Sequence, residues 1–578
     1  MIRGRGKSIG GGAKIFAAVL VVSLAAGACG GSKAGTKSDA GNTTIPANQQ
    51  APGEKSEPAA IKRGGVMTVG LEAESTGGWC LPSSQLAVSG IQVHNAIYDP
   101  LAIFDENYVA KPYLAESLTP NADATLWTIK LRSGILFHDG SKLDSAVVKD
   151  NIDLWWGEPT LTKATNVTPV LFSLVYKQIQ SVAIVDDLTL TVSMSSPWPQ
   201  WASFLASGRN GIMAEKQLRA DSDGAGDPAK DGKCVDTMVG TGPFKLNSPA
   251  DWERNQQMKL VKNENYWRMG ADDKPLPYLD GITFKPVENS ENRFNALKSG
   301  AVDATHFSTQ SIFDDIAAAP DKFNLVKEPD GNREVGYGLV DLAAPPFNDK
   351  PTRLAIGQAI DRTALNRIAN KGKFDLAEQP FDNKTIGYVE GLKLGAYDPA
   401  AAKAFLQGKN ISMNLTYATD PNTKLLAEEI KRQLGEVGVA VNIAETDQSS
   451  LITKALGGGF GVLLWRNHPG ADPDTQLYWW HSGFLTNFGK INDPALDKLL
   501  DEGRVETDPA KRKEIYQNVS KLFVSEGYAL WNWYTEWAEG TNKKVQQFGY
   551  NTLPDGSKGT GINWGWTYLT EAWMDPSK

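Results

Sequence analysis

The sequence predicts a layered α/β protein of two or three domains. At 578 residues the chain is too long to fold around one hydrophobic core. Apolar residues alternate over 413–417, recur every three or four positions over 426–437, and alternate again over 439–443. The outer two patterns predict β-strands and the middle one predicts an amphipathic helix. A strand, a helix and a strand in this order form a βαβ unit, which implies a layered α/β domain.

The N-terminus predicts an exported protein. Residues 1–28 contain basic side chains and no acidic one, and an apolar run occupies 15–26. The run is too short to cross a membrane as a helix, and small residues follow it, so we expect 1–28 to be a cleaved signal peptide. The whole chain has a formal net charge of -8 and becomes more acidic without these residues, which argues against nucleic acid as a partner.

Cys29 follows Ala26-Gly27-Ala28 and resembles the cysteine of a bacterial lipobox, which becomes a lipidated N-terminus. Ala26 stands where Leu is usual, and these residues also suit ordinary signal peptidase. The segment 29–61 is rich in Gly, Ser, Thr, Ala, Asn, Gln and Pro, with too few apolar side chains to fold. We expect it to be a flexible tether that holds the body at the outer face of the cell membrane, on the cell surface or in the periplasm.

Cys80 and Cys234 are the two remaining cysteines. Two thiols in an exported chain predict one disulfide, which would stabilise the fold by roughly 2–4 kcal/mol in the loop-entropy picture. The alternative is two buried free thiols.

Further elements of the body follow from hydrophobic periodicity. Alternation predicts strands over 67–71 and 127–131 and a hairpin over 179–194. A one-sided apolar pattern predicts a helix over 144–156, and a first-turn proline predicts a second helix over 351–368.

One loop is the strongest candidate for a ligand site. An apolar run over 460–464, bounded by glycines, predicts a buried strand, and a Gly- and Pro-containing loop follows it. Polar and aromatic groups on loops that follow rigid strands often bind ligands. The candidate residues are Trp465, Arg466, Asn467, His468, Asp472, Asp474, Trp479 and Trp480. The alternative is that the indoles belong to the core and the Asp-Pro pairs form turns.

Short segments spread over 64–578 carry a family resemblance. They include Ile97-Tyr98-Asp99-Pro100-Leu101, the residues of 131–140, Gly240-Thr241-Gly242-Pro243-Phe244, Asn265-Tyr266-Trp267, the residues of 297–303, Pro346-Phe347-Asn348-Asp349, Tyr397-Asp398-Pro399 and Asp472-Pro473-Asp474. In order and spacing they resemble the bacterial extracellular solute-binding proteins of family 5, the peptide and nickel type. Members of that family are the receptor subunits of ABC importers.

The resemblance implies a two-lobe fold of the type II periplasmic-binding-protein kind, with an extra α+β domain inserted in the first lobe. Carried onto this chain, the first lobe comprises 62–98, 237–333 and 531–578, the inserted domain 99–236, and the second lobe 334–530. It also implies that a monomer captures a small solute or peptide by closing its lobes and delivers it to a membrane permease.

The resemblance places the facing wall of the cleft at Gln85, Leu86 and Val88, with Trp79 just upstream. Many relatives hold the amino group of a peptide with an Asp four residues before the Pro of the Asp-Pro pair, a position that falls here on Pro469 or His468. Because a buried ammonium needs a paired charge, non-peptide solutes such as sugars or metal chelates stay open. Two further options also stay open: Asp472 or Asp474 substituting for that Asp, and Arg466 binding a carboxylate of the solute.

Enzyme classes are disfavoured by missing motifs. The chain after residue 28 has neither the Gly-x-Ser-x-Gly of a serine hydrolase nor the His-Glu-x-x-His of a zinc peptidase. Gly457-Gly458-Gly459 lacks the Lys-Ser/Thr of a phosphate loop. A lone loop histidine such as His468 is more often solvated than bound to a metal. We therefore expect capture without catalysis, without a cofactor and without a resident metal.

Overall fold

The computed structural model describes residues 60–75, 78–84, 86–169, 172–221, 233–329, 331, 333–447, 450–468 and 470–578. The predicted signal peptide, Cys29, nearly all of the predicted tether, Gln85 and Pro469 lie outside these residues. No helix in the described ranges is both long and apolar enough to cross a membrane.

The body opens with the predicted strand, β1 (Val66–Leu71), and continues to helix α1 (Val88–Ile97). Met67, Val69 and Leu71 are buried, as their alternation predicted. Between the two elements, Cys80 is joined to Cys234 by a disulfide. The bond ties the segment that leads into α1 to a distant part of the chain.

The next segment forms a separate antiparallel sheet with helices beside it. Its strands are β2 (Ala102–Phe104), β3 (Ala110–Pro112), β4 (Ala115–Pro120), β5 (Leu126–Leu131), β6 (Ile179–Asp186) and β7 (Thr189–Met194). Its helices are α2 (Ser145–Trp156), α3 (Pro159–Thr165), α4 (Phe172–Val175), α5 (Trp201–Leu205), α6 (Glu215–Leu218) and α7 (Lys233–Asp236). The four-stranded sheet has the order β4-β5-β7-β6, β2 and β3 pair separately, and β6 and β7 are the predicted hairpin. We call this segment the inserted domain.

The chain then returns to the sheet of β1. It adds β8 (Phe244–Leu246), β9 (Trp252–Glu253), β10 (Gln257–Lys262), β11 (Gly281–Pro286), α8 (Ser290–Ser299), β12 (Ala304–Phe307), α9 (Gln310–Ala317) and β13 (Phe323–Lys327).

A second layered unit follows and contains the predicted βαβ unit. Its elements are β14 (Glu334–Val340), α10 (Lys350–Gln358), α11 (Arg362–Asn370), α12 (Pro399–Leu406), β15 (Ser412–Ala418), α13 (Pro421–Glu436), β16 (Ala440–Thr446), α14 (Ser450–Gly457), β17 (Val462–Asn467), α15 (Leu477–Trp480), α16 (Pro494–Val505) and α17 (Pro509–Glu526). The strands β15 and β16 are parallel, with Leu415 opposite Ile443.

The C-terminal segment contributes to both sheets through β18 (Ala529–Thr535), β19 (Ala538–Asn542), β20 (Val545–Gln546) and β21 (Trp573–Met574). The large sheet has the order β13-β19-β12-β1-β11-β10-β8, with β9 beside β10, and the second sheet has the order β16-β15-β17-β14-β18. We call the units built on these sheets the first lobe and the second lobe. Residues 531–535, which were expected in the first lobe, pair with β14 in the second lobe.

Two chain crossings connect the lobes, between β13 and β14 and between β18 and β19. The crossings touch, because the backbone N–H of Glu328 donates to the carbonyl of Trp537 at 2.9 Å. Lys327 and Glu536 form an ion pair at 3.4 Å beside them. This adjacent pair of crossings connects the two lobes, and we refer to it as the hinge.

Two predicted elements differ from the structure in their bounds. The single helix predicted over 351–368 is two helices, α10 and α11, because the Asp361 side chain accepts from the Ala364 N–H and caps a new helix. The strand predicted over 460–464 is β17, which runs on to Asn467 because residues 462–467 pair with β14. Trp465, Arg466 and Asn467 therefore lie on a strand rather than on a loop.

Candidate functional site

A cavity of about 370 Å³ lies where the two lobes and the inserted domain meet. Its walls come from all three parts: Glu72, Leu86, Val88, Arg293, Ser308 and Trp564 from the first lobe, Phe104, Tyr176, Phe204 and Arg209 from the inserted domain, and Tyr337, Asp420, Leu426, Trp465, His468 and Trp479 from the second lobe. The volume is within the range of about 300–1,000 Å³ that is usual for small-ligand sites.

The ends of parallel strands position several of the polar groups in this cavity. Glu72 directly follows β1 and Ser308 directly follows β12, and these two strands are parallel neighbours. In the second lobe, β15 and β17 are also parallel, and Asp420 and His468 follow their ends. Because the carboxyl ends of parallel strands meet at one edge of a sheet, each lobe directs such an edge at the cavity.

Most of the predicted site residues that the structure describes line this cavity. They are Leu86, Val88, Trp465, Arg466, Asn467, His468 and Trp479. The indoles of Trp465 and Trp479 are both partly exposed, so each has ring surface open to a ligand.

The predicted residues Trp79 and Trp480 do not line the cavity. Trp79 is completely buried beside the disulfide, with its ring edge-on to Trp252 at 6.2 Å. Trp480 is 6% exposed and packs on Phe523, with a ring-centroid distance of 4.2 Å. Both indoles belong to the core, which for Trp480 is the alternative that the sequence left open.

Asp472 and Asp474 are structural rather than ligand-facing. One carboxylate oxygen of Asp474 accepts from Arg504 Nε at 2.7 Å, and the other accepts from Trp198 Nε1 at 2.9 Å. Asp472 binds Arg512 through both of its carboxylate oxygens. Both carboxylates are thus already neutralised by arginines of α16 and α17, so the expectation that they replace the missing amine-binding Asp needs correction.

Arg466 lines the cavity, but its charge is already compensated. Its Nη2 lies 3.2 Å from Glu72 Oε1, and its Nε lies 3.8 Å from Glu334 Oε2. It also donates to Ser308 Oγ at 3.2 Å, so this side chain of the second lobe binds two residues of the first. Burial opposes ionisation of Glu72, but the positive charges around it, Arg466 foremost, together outweigh burial and hold the pKa of the Glu72 carboxyl below its usual value.

Arg209, in the inserted domain, is a cavity residue that the sequence analysis missed. Its Nε donates to the carbonyl of Leu86 at 2.9 Å, and both of its terminal nitrogens lie 3.4 Å from His468 Nε2. No carboxylate of the described residues forms an ion pair with it. Burial lowers its pKa from the usual value. An arginine in a turn between two short helices has no sequence pattern that would single it out.

His468 is neutral in this environment. Burial, together with the neighbouring Arg209 charge, lowers the pKa of its imidazole to about 3. Its ring stacks on Trp564 with 4.6 Å between centroids and 20° between planes. Because Nε2 faces the Arg209 donors, Nδ1 carries the proton, and it has no hydrogen-bond partner among the described residues.

No group of three or more His, Cys, Asp or Glu side chains in the described part of the chain is arranged to hold a metal ion. The nearest candidate, His468, presents Nε2 to a guanidinium, which would repel a second cation at that nitrogen.

Comparison with known proteins agrees with the family resemblance. The sequence profile described as "Bacterial extracellular solute-binding proteins, family 5 Middle" matches residues 109–487, which is more than half of the chain. The chain belongs to the family 5 solute-binding proteins. The predicted role, the solute-binding subunit of an ABC importer, is confirmed by this membership, and family members bind solutes rather than transform them.

Curated relatives of this family 5 protein include two glutathione-binding proteins GsiB. The one from Pectobacterium atrosepticum is 25% identical over 80% of this chain and 87% of the relative. The one from Salmonella paratyphi A is 26% identical over 64% of this chain and 67% of the relative.

Solved structures share the fold. The periplasmic binding protein DppA of Helicobacter pylori, in complex with the peptide STSA, superposes with a TM-score of 0.76 at 20% identity and covers 89% of this chain and 98% of its own. AgaA of A. tumefaciens R10, in complex with agropinic acid, superposes with a TM-score of 0.74 at 23% identity and covers 88% and 99%. The predicted two-lobe α/β fold of the type II periplasmic-binding kind is confirmed.

Proposed function

We propose that this family 5 protein holds its solute in the cavity between the lobes and the inserted domain. The observation that carries the proposal is that all three parts of the body wall one cavity of about 370 Å³. A solute placed there touches every part at once, so its binding energy favours the closed arrangement over an open one. The cavity residues Leu86, Val88, Trp465, Arg466, Asn467, His468 and Trp479 are the contacts we assign to it, together with Arg209.

Direct contacts between the lobes support closure about the hinge. Ser290 Oγ of the first lobe donates to Asp420 Oδ2 of the second at 2.8 Å, and Arg466 reaches Glu72 and Ser308 across the cavity. These bonds form only when the strand ends of the two sheets face each other.

The solute class we favour is a small molecule derived from amino acids or a short peptide. The relatives named above bind glutathione, a peptide or agropinic acid. A cavity of about 370 Å³ suits a small solute better than a long peptide. A non-peptide solute is the second candidate, because the position at which many relatives hold an ammonium with an Asp falls here on Pro469 or His468, and because Glu72 already faces Arg466.

We further propose that lipidated Cys29 anchors the protein at the outer face of the cell membrane and that it works there as a monomer beside an ABC permease. The lipobox-like Ala26-Gly27-Ala28-Cys29 and the polar tether support the anchor. Mass spectrometry of the N-terminal peptide should find a diacylglyceryl group on Cys29, and an unmodified N-terminus would reject it.

The proposed site is tested by identifying the solute. Small molecules released from purified, denatured protein are identified by mass spectrometry and added back to emptied protein. A true solute should raise the melting temperature in proportion to the logarithm of its concentration, because only the folded state binds it. If no released compound, and neither glutathione nor short peptides, raises the melting temperature, the proposal fails.

A further inference from the structure

Arg209, which is partly exposed, differs from five other wholly or partly buried arginines in the groups that compensate its charge. Arg504, Arg512, Arg268 and Arg466 each have a carboxylate within 4.0 Å. Arg293 has none that close, but it donates to three backbone carbonyls. Arg209 donates to one carbonyl and faces a neutral imidazole, and within the described ranges no acidic side chain pairs with it.

Arg209 lacks a carboxylate partner in the described part of the chain, at the point where all three parts of the body meet. The guanidinium belongs to the inserted domain, its imidazole neighbour His468 to the second lobe, and the indole under that imidazole, Trp564, to the first lobe. All three line the cavity. The Nδ1–H of His468 also has no hydrogen-bond partner among the described residues. Closing the lobes thus encloses a cation for which no described residue supplies a counter-charge.

We propose that the solute carries an anionic group that binds the Arg209 guanidinium, and that this group is what permits the lobes to close. The inference rests on the proposed function. A charge that closure encloses without a partner loses part of its hydration and gains nothing in return, so the empty closed form is disfavoured. An anion with two suitably spaced oxygens compensates the charge by accepting two parallel hydrogen bonds from the guanidinium fork. Carboxylate and phosphate groups both have this chemistry.

Solute-free protein gives the first test. Wild type, Arg209→Met and Arg209→Lys are emptied by partial unfolding and refolding, and their radii of gyration are measured by small-angle X-ray scattering. Methionine keeps much of the side-chain volume without the charge, so Arg209→Met should be more compact than wild type. The lysine variant keeps the charge and should stay as extended as wild type. Equal radii for wild type and Arg209→Met overturn the proposal.

Small anions give the second test and identify the group. Acetate and inorganic phosphate are compared with chloride at equal ionic strength in melting experiments. At least one of them should raise the melting temperature of wild type and leave the melting temperature of Arg209→Met unchanged. The more effective anion indicates whether the solute's group is a carboxylate or a phosphate. No rise beyond chloride in wild type, or the same rise in Arg209→Met, overturns the proposal.

The identified solute separates this inference from the proposed function. Arg209→Met should weaken its binding by about 10- to 100-fold, the range for a lost hydrogen-bonded charge. If the solute binds wild type and Arg209→Met equally well, the anion inference fails while the proposed site stands. If no solute binds wild type at all, the proposed function itself fails.

Discussion

The two halves of the segment 465–480 contain similar side chains and have different roles. In the first half, Trp465 and His468 line the cavity. In the second half, Asp474 and Trp480 are buried against other elements of the protein. Each half contains an indole and polar or charged groups, so residue type does not separate them. What separates them is which partners the fold brings to each.

Local structure explains the division. The first half continues β17, whose pairing with β14 carries Trp465 opposite Tyr337 at the edge of the cavity. After Gly470 the chain turns into a short 3-10 helix, Pro473–Gln476, capped by the Asp472 side chain. This turn points the following residues towards α16 and α17, where Arg504 is available. Asp474 and Trp480 of the second half thereby join the core of the second lobe, while Trp479 stays at the cavity.

The largest expected effect is the loss of stability when Asp474, in the second half, is replaced. Asp474→Ala leaves the Arg504 guanidinium buried without its carboxylate, and its side chain is only 2% exposed. Removing one partner of a buried pair costs about 3–5 kcal/mol, so the midpoint of urea unfolding should fall sharply. Asp508→Ala, which removes an exposed helix cap, is the control and should cost about 1 kcal/mol. Similar losses for both variants would contradict the buried-pair role.

Substitutions of Trp480 and Trp465 test the roles of the two halves, the first through stability and the second through solute binding. Trp480→Ala should lower the free energy of unfolding by about 3–5 kcal/mol, because it opens a cavity next to Phe523. Trp465→Ala should leave the free energy of unfolding within about 1 kcal/mol of wild type, because its ring is partly exposed, and weaken solute binding about tenfold. Calorimetric titration with the identified solute measures the second effect. Unchanged affinity in Trp465→Ala would remove that ring from the site.

The smallest effect concerns the acid sensitivity of the first half. The folded pKa of His468, about 3, lies below the unfolded value near 6.5, so stability that is present above pH 6.5 is lost as the pH falls towards 3. At pH 5 the loss is at most about 2 kcal/mol. His468→Gln should therefore lose less stability than wild type between pH 7 and pH 5 in urea unfolding. If wild type and His468→Gln lose the same stability between pH 7 and pH 5, His468 is not buried as a neutral ring.

Much of the fold was predictable because its signals are local. The period of apolar residues predicted β1, β5, α2, the hairpin of β6 and β7, and the unit of β15, α13 and β16. The failures have local causes as well. Asp361 starts a second helix inside a continuous apolar pattern, and strand pairing extends β17 beyond its apolar run.

The sequence by itself determined the class of fold, the family and the stretch of chain that reaches the cavity, since periodicity and spaced motifs are written along the chain. Only the tertiary structure decided which charges are free. Arg466 meets Glu72, which lies 394 residues away, and Asp474 meets Arg504, while Arg209 meets no acid among the described residues. The physical reason is that compensation of a charge depends on neighbours within a few ångströms in space, and those neighbours come from distant parts of the chain.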